Sequence, residues 1–179
     1  GISGWLNSGP LTIAGLKGKV ILVDFWTYTC INCIRTLPYL GMWNDKYGDK
    51  GLVIIGVHSP EFDFEKDLDN VKKAVAKYGI KYAVALDNDH STWRAFKNNY
   101  WPHKYLIDVN GKIRYDHIGE GGYDETEKAI QELLKERAEA MNEKIEVEEE
   151  TASPANAVGV DFPSIAPPEI YLGYQFARV

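Results

Sequence analysis

The two cysteines of the chain, Cys30 and Cys33, are separated by two residues and could form a reversible disulfide. An apolar run, residues 20–23, precedes them, and a stretch with helical spacing follows them. A thiol at a helix start lies near unpaired N–H groups and the positive end of the helix dipole, which stabilise its thiolate and lower its pKa. The spacing therefore predicts that Cys30 attacks a partner's disulfide and that Cys33, one turn later, resolves the mixed disulfide.

A Cys-x-x-Cys pair can also supply half of a zinc site, which needs four ligands. The sequence has no second pair of this kind, and its four histidines are scattered rather than placed at ligand spacing. The context of a strand before and a helix after the pair favours redox chemistry. We predict that the site needs no metal and no cofactor, because the two sulfur atoms themselves store the electron pair.

One carboxyl group, Asp24, stands inside the apolar run that leads to the cysteines. Burial in such a strand disfavours the charged form and raises the pKa of an aspartate. Asp24 could then relay the proton that the resolving thiol of Cys33 must lose. The alternative is a structural aspartate, whose carboxylate is satisfied by backbone groups or by a lysine.

Composition limits the classes of protein to consider. The chain has 179 residues, 45% of them hydrophobic, which is enough for one sizeable core. The net charge of -6, with no basic patch, argues against nucleic acid as a partner. No apolar stretch reaches the roughly 18 residues that a membrane span needs. Because Gly1 replaces an initiator Met, we expect a processed or excised fragment whose targeting segment is missing.

Strand-like and helix-like segments alternate along the chain in the order β-α-β-α-β-α-β-β-α. This alternation predicts an α/β fold with a parallel sheet, to which a final hairpin adds antiparallel strands. The predicted strands are residues 20–26, 52–58, 82–86, 104–109 and 112–118, and the predicted helices are residues 34–47, 67–78, 91–97 and a last one from 124.

Local signals refine the ends of these elements. Pro38 lies inside the first helix and predicts a kink. Ser91 is a candidate N-cap, and Asn110-Gly111 is the strongest short hairpin signal in the chain. Residues 124–127, Asp-Glu-Thr-Glu, are typical of a capping box.

The alternation of strand-like and helix-like segments ends after about residue 142. Residues 146–150 form a run of mostly like charges, and several prolines follow, among them Pro154, Pro163 and Pro168. Such a composition is typical of a linker or tail. We therefore predict one domain over residues 1–142 and an acidic, proline-containing tail over residues 143–179.

Residues 10–140 resemble the thioredoxin superfamily. Asp24 stands six residues before Cys30, where thioredoxins carry a buried acid, and Pro38 stands eight residues after it, where they carry a helix-kinking proline. Trp101-Pro102 precedes the hairpin, at the place of their cis-proline. The inserted helix 67–78 resembles TlpA- and ResA-type reductases. The closest resemblance is to the soluble thioredoxin-like domain of DipZ-type proteins, through residues 26–33, 56–61, 85–88, 100–102 and the tail segment 168–174.

The resemblance implies a three-layer sandwich, a mixed sheet with helices on both faces. It implies that Glu61 is a second acid near the cysteines; the alternative is a solvated loop residue. It also implies that Pro102 is cis in a loop that faces the cysteines, and that the backbone of Trp101 pairs with an incoming peptide strand. Trp101, Trp26 and Tyr28 are the further candidates for lining the substrate groove.

The function implied is thiol:disulfide oxidoreduction, extracytoplasmic and on the reducing side. Electrons would arrive from a CcdA-like membrane domain and leave to oxidised protein substrates, with the membrane reached only through a tether missing here. Residues 31–32, Ile-Asn, replace the Gly-Pro of thioredoxin, so its reduction potential does not carry over. Two alternatives stay open: a thiol peroxidase, because Thr27 precedes Cys30 at peroxiredoxin spacing although Val23 replaces their proline, and a non-catalytic adaptor.

Overall fold

A computed structural model describes residues 1–158 of the chain. Its strands are β1 (Gly4–Leu6), β2 (Val20–Trp26), β3 (Leu52–His58), β4 (Ala83–Leu86), β5 (His103–Ile107) and β6 (Ile113–Ile118). Its α-helices are α1 (Ile31–Tyr47), α2 (Leu68–Lys77), α3 (Ser91–Ala95) and α4 (Tyr123–Met141). Short 3-10 turns lie at Ala14–Leu16 and Asp63–Lys66.

The strands form one mixed sheet in the order β1-β4-β3-β2-β5-β6. β2 runs parallel to β3, and β3 runs parallel to β4. β5 and β6 are antiparallel additions on one side, and β1 is an antiparallel addition on the other. The predicted mixed α/β sheet is confirmed, and β1 is an element that the sequence pattern does not predict.

β2 is buried along its whole length, which explains its continuous apolar run. Its side chains alternate between the two faces of the sheet. On one face Leu22 packs with Leu40 of α1 and Leu134 of α4. On the other face Phe25 packs edge-on against Trp93 of α3, with ring centroids 5.7 Å apart. The sheet therefore lies between two layers of helices, as predicted.

The helix that carries the cysteines begins at Ile31, three residues before the predicted start at 34. Cys30 is its N-cap, and the Cys30 Sγ accepts a hydrogen bond from the Cys33 N–H. A sulfur atom thus satisfies an N–H group of the first turn, a role that the N-cap preferences for Ser, Thr, Asp and Asn do not predict. Pro38 lies inside this helix, as predicted.

Two predicted helix caps are wrong. The N-cap of α3 is His90, not Ser91, and the N–H groups of Thr92 and Trp93 donate instead to the carboxylate of Asp87. The N-cap of α4 is Gly122, with φ +55°, so the predicted capping box at residues 124–127 does not form. At α3 the competing acceptor, Asp87, is only four residues before Ser91, whereas at α4 Glu127 bonds to side chains of α1.

The predicted hairpin forms at Asn110-Gly111, but its loop is longer than two residues. β5 ends at Ile107 and β6 begins at Ile113. The carboxylate of Asp108 accepts hydrogen bonds from the Asn110 and Lys112 N–H groups. Gly111 has φ +81°, a conformation that glycine adopts without steric penalty.

The chain after α4 contacts the domain over part of its described length. Ile145 and Val147 pack against the core, whereas the glutamates between 146 and 150 are exposed. Ala152 is buried, and its N–H donates to the carboxylate of Glu127. The domain boundary after residue 142 stays a prediction. The predicted tail signals at Pro163, Pro168 and residues 168–174 lie outside the described residues.

Glu127, which the capping-box prediction placed at a helix start, is turned into the core. It accepts hydrogen bonds from Trp43 Nε1 at 2.9 Å, the Tyr47 hydroxyl at 2.6 Å and the Ala152 N–H at 2.5 Å. Burial by itself would raise the pKa of Glu127, but these hydrogen bonds outweigh it and lower the pKa. The ionised carboxylate joins α1, α4 and the chain that follows.

We expect Glu127→Ala to lower the free energy of unfolding by about 3 kcal/mol, because it leaves three buried donors without an acceptor. The matched control is Glu132→Ala, an exposed position of the same helix, which should change stability by less than about 0.5 kcal/mol. Urea denaturation of both variants at neutral pH measures the difference. Equal effects of the two substitutions would contradict the role assigned to Glu127.

Candidate active site

The two cysteines lie where β2 turns into α1, and both are reduced in the structure. Cys30 is half-buried at the helix start, and Cys33 is 1% exposed. The hydrogen bond from Cys33 lowers the pKa of Cys30 to about 7, helped by the backbone N–H groups of Cys33 and Asn32 and opposed by burial. About half of Cys30 is therefore thiolate at neutral pH.

Cys33 has the opposite environment. Burial raises the pKa of the Cys33 thiol far above its usual range, and the hydrogen bond to Cys30 and the charges of Cys30 and Asp24 add to this. One sulfur is partly ionised and partly accessible at neutral pH, while the other is protonated and enclosed. This asymmetry matches the roles of attacking and resolving thiol, because only a thiolate is nucleophilic.

Asp24 is buried in the middle of β2, at 1% exposure. Desolvation raises its pKa from 3.8 to about 7; the charge of Lys104 opposes this shift, and the charge of Cys30 adds to it. Its Oδ1 has no hydrogen-bond partner among residues 1–158. A carboxyl group with a pKa near 7 can both accept and release a proton at neutral pH.

Lys104 lies opposite Asp24 in the register of β5 and is likewise 1% exposed. Its Nζ donates a hydrogen bond to the Gly119 carbonyl at 3.0 Å. Burial lowers the pKa of this amine, against the charges of Asp24 and Cys33. The sequence reasoning did not single out Lys104. The sequence contains a signal for it, because a lysine within an apolar strand needs a counter-charge or a hydrogen-bond acceptor nearby.

Tyr82 is a second neighbour that sequence reasoning missed. Burial raises its pKa well above the usual value, and the charges of Asp24 and Cys33 act in the same direction. Gly56 makes room for this ring, because a Cβ at that position would lie 3.2 Å from the Tyr82 ring and 3.0 Å from Trp26 Nε1. Tyr82 is therefore a buried aromatic neighbour of Asp24.

Two residues predicted to line the partner groove have different surroundings. Trp26 is fully buried in the core, so the prediction that its ring contacts a partner is wrong: it ends the central strand and its side chain faces α1. Tyr28 is partly exposed. Its ring stacks on His58 with centroids 5.6 Å apart, and its hydroxyl donates to the Phe64 carbonyl at 3.2 Å.

The Trp101–Pro102 peptide bond is cis, as the resemblance implies. Pro102 is buried, and the Trp101 indole N–H donates to the Ser59 carbonyl at 2.9 Å. The Ser59 N–H in turn donates to the Trp26 carbonyl at 3.0 Å. These contacts tie the proline loop to the carboxyl ends of β2 and β3, the same edge from which the Cys30 loop leaves the sheet.

Glu61 is exposed at the start of the segment after β3. It lies close enough to Cys30 for its charge to raise the pKa of that thiol, against the larger lowering by the Cys33 hydrogen bond. The structure thus places Glu61 near the attacking sulfur and on the solvent side. Its predicted role as a proton acceptor stays a prediction.

Glu65 is an acid of the same segment that the sequence analysis did not single out. It is fully buried and accepts hydrogen bonds from the Thr29 hydroxyl at 2.5 Å, the Glu61 N–H at 2.6 Å and the Phe62 N–H at 3.0 Å. Burial opposes ionisation, but the hydrogen bonds lower the pKa of Glu65. Its position three residues into a turn is the spacing of a capping acid, which could have identified it.

Thr27 and His58 are buried beneath the loop that carries Cys30. Both are fully buried, and Thr27 Oγ1 lies 3.4 Å from His58 Nε2. Burial lowers the pKa of His58 to about 4, so its ring is neutral at physiological pH. The Thr27 hydroxyl therefore contacts a neutral imidazole. Among residues 1–158, no three His, Cys, Asp or Glu side chains come together in a way that could hold a metal ion.

The chain is similar in sequence to known families and proteins. The family model named Redoxin matches residues 6–134. Protein DipZ of Mycobacterium bovis is 48% identical over 139 residues, which make up 76% of this chain and 20% of that protein. Thiol-disulfide oxidoreductase YkuV of Bacillus subtilis is 33% identical over 137 residues, 76% of this chain and 91% of that protein.

Among solved structures, the solution structure of a thioredoxin-like protein in the oxidised form superimposes with a TM-score of 0.68 at 32% identity, over 75% of this chain and 90% of that one. The chain spans about a fifth of the length of the DipZ relative that it matches. It covers nearly all of YkuV, so the similarity there extends over a whole protein. Because the Redoxin family model matches more than half of its residues, the chain belongs to the Redoxin family.

Proposed function

We propose that this protein is a thiol:disulfide oxidoreductase that reduces disulfides of protein partners. The observation that carries the proposal is the difference between its two thiols: the pKa of Cys30 is lowered to about 7 at the helix start, whereas that of the enclosed Cys33 is strongly raised. This difference supports Cys30 as the attacking thiol and Cys33 as the resolving thiol.

The reaction proceeds in two exchanges. The Cys30 thiolate attacks one sulfur of the partner's disulfide, a Cys30–partner disulfide forms, and the partner's other sulfur leaves as a thiolate that takes up a proton. Cys33 then loses its proton to Asp24 and attacks Cys30. The Cys30–Cys33 disulfide forms, the partner's second sulfur leaves, and two electrons have passed from this protein to the partner.

The proposed setting is extracytoplasmic. The similarity to DipZ supports it, as does the resemblance of residues 26–33 and 56–61 to the DipZ-type module. A CcdA-like membrane protein is the proposed electron donor, and oxidised proteins are the proposed acceptors. Within residues 1–158, no helix is both long enough and apolar enough to cross a membrane.

The reducing direction is part of the proposal and has a direct measurement. The reduction potential of the Cys30–Cys33 pair can be determined by equilibration with glutathione buffers. A value near about -270 mV agrees with a reductase, whereas a value near about -120 mV indicates an oxidant.

The role of Cys30 predicts selective alkylation. With limiting iodoacetamide, we expect the reduced protein to be labelled at Cys30, at a rate that rises with pH around a midpoint of about 7. Cys33 should stay unlabelled across the same range, because its thiol is buried and protonated. Peptide mapping by mass spectrometry locates the adduct. Preferential labelling of Cys33 would overturn the assignment of both thiols.

A further inference from the structure

Two phenylalanines are exposed at the 3-10 turn Asp63–Lys66: Phe62 is its N-cap, and Phe64 lies within it. The side chains of Phe62 and Phe64 are 48% and 55% exposed, and their rings stack with centroids 5.5 Å apart and planes 4° from parallel. We call these two residues the phenylalanine pair. Single exposed apolar side chains are ordinary, but contiguous exposed apolar surface is typical of interaction sites.

The phenylalanine pair adjoins the loop that presents the attacking sulfur. The Phe64 carbonyl accepts the hydrogen bond from the Tyr28 hydroxyl, and the Phe64 and Tyr28 ring centroids are 6.4 Å apart. Tyr28 stands two residues before Cys30, and it packs against the same core cluster as Cys30. Apolar surface therefore continues from the pair to the edge of the reactive thiol.

The backbone that carries the pair is held in place by the buried Glu65. Its carboxylate accepts the Phe62 N–H and the Thr29 hydroxyl, so one side chain fixes the turn against the residue directly before Cys30. A surface that is already ordered loses less conformational entropy when it binds than a mobile one. The pair is thus a rigid apolar surface at a fixed position beside Cys30.

We propose that the phenylalanine pair binds apolar side chains of the substrate protein, next to the disulfide that Cys30 attacks. The substrate is expected to reach the phenylalanine pair because the pair adjoins the reactive thiol. A substrate chain whose disulfide contacts the Cys30 Sγ passes beside Tyr28 and then over the rings of Phe62 and Phe64. The exposed acid Glu61 directly precedes Phe62, and its charge acts on Cys30, so it disfavours an acidic chain there. The inference rests on the proposed function and names its substrate class, a disulfide flanked by apolar and non-acidic residues.

Two cyclic peptides test the inference. Each is closed by one disulfide, and they differ only at the two positions beside one cysteine, which carry leucine and phenylalanine in the first peptide and serine and asparagine in the second. The fully reduced protein is mixed with each peptide without other thiols, and the second-order rate constant of its oxidation is measured. The quantity of interest is the ratio of the two rate constants, apolar over polar.

For the wild type we expect a ratio of about ten, the size of effect that aromatic contacts at interfaces produce. The double variant Phe62→Ser/Phe64→Ser should bring the ratio to about one. The matched control is Ile113→Ser, which removes a 51% exposed apolar side chain from β6 and should keep the wild-type ratio. The single variant Phe62→Ser, expected to give an intermediate ratio, decides the question if the double variant does not fold.

The outcomes separate the inference from the proposed function. A wild-type ratio near one, or a preference that survives in the variants of the pair, overturns the inference and leaves the function standing. Oxidation of the wild type by neither peptide overturns the function itself. A ratio that collapses equally in Ile113→Ser also overturns the inference, because the preference would then follow general surface hydrophobicity.

Discussion

Replacing Cys33 by serine should stop catalytic turnover and accumulate a covalent complex. Cys30 keeps its position at the start of α1 and still attacks a partner's disulfide, but no second thiol follows to release the partner. We expect multiple-turnover reduction of a protein disulfide to fall by at least about a hundredfold. Non-reducing electrophoresis and intact mass should show a Cys30–partner disulfide in the absence of added thiol.

The control for this experiment is Cys30→Ser, which removes the attacking thiol and should neither reduce nor trap the partner. Its remaining thiol, Cys33, is buried and has a raised pKa, so it cannot take over the attack. Turnover by Cys33→Ser at the wild-type rate would place the resolving step outside the Cys30–Cys33 pair.

Asp24→Asn should slow the resolving step while leaving the fold intact. Asparagine has nearly the shape of aspartate, so packing is kept, but it cannot accept the proton of Cys33. General-base assistance of this kind contributes about 10²-fold or more to rate, so we expect a loss of that order at pH 7. A pH–rate profile of insulin or glutathione disulfide reduction measures it. An unchanged profile would leave Glu61 or water as the acceptor.

The same variant should be more stable than the wild type above pH 7. The pKa of Asp24 is about 7 in the folded protein against 3.8 for an unperturbed aspartate. The folded state therefore holds the proton more tightly, and the stability that Asp24 contributes is complete below pH 4 and is lost as the pH rises through about 7. Asparagine has no such loss. Urea denaturation should show a gain of as much as about 4 kcal/mol at pH 8, shrinking toward pH 4.

The central strands were predictable to the residue, and the edge strand was not. β2 and β3 are parallel strands buried in the sheet, and their uninterrupted apolar runs are visible in the sequence. β1 has only three residues and no periodicity of its own. It is a strand because it pairs with β4, eighty positions later in the chain. Such pairing leaves no local signal.

The failed cap at α4 has the same physical cause. Residues 124–127 have the residue types of a capping box. The Glu127 carboxylate is nevertheless stabilised more by hydrogen bonds from Trp43 and Tyr47 of α1 than by a bond to the backbone of its own helix. At α3, Ser91 is a suitable N-cap by type, but the N-cap is His90, and the nearby carboxylate of Asp87 accepts the Thr92 and Trp93 N–H groups. A short motif indicates a preference that a nearby carboxylate or a buried tertiary contact can override.

The residues of the candidate active site likewise include some that the sequence predicts and some that it does not. Cys30, Cys33 and Asp24 can be identified from the sequence, because their residue types and spacing within one stretch of chain indicate a redox site. Lys104 and Glu65 act on that stretch from other strands and turns, through a charge and through a hydrogen bond to Thr29. Their importance depends on register and on the path of the chain after β3, which composition and periodicity do not define.

The carboxylate of Glu127 also matters for protein engineering. A version of the chain cut directly after α4 would withdraw the Ala152 N–H from a buried anion and uncover the apolar surface beneath Ile145 and Val147. The other donors to that anion, Trp43, Lys46 and Tyr47, belong to the helix that carries the thiols at its opposite end. A cleavable tag or fused domain is therefore better joined beyond Pro154, where the carboxylate keeps all its donors.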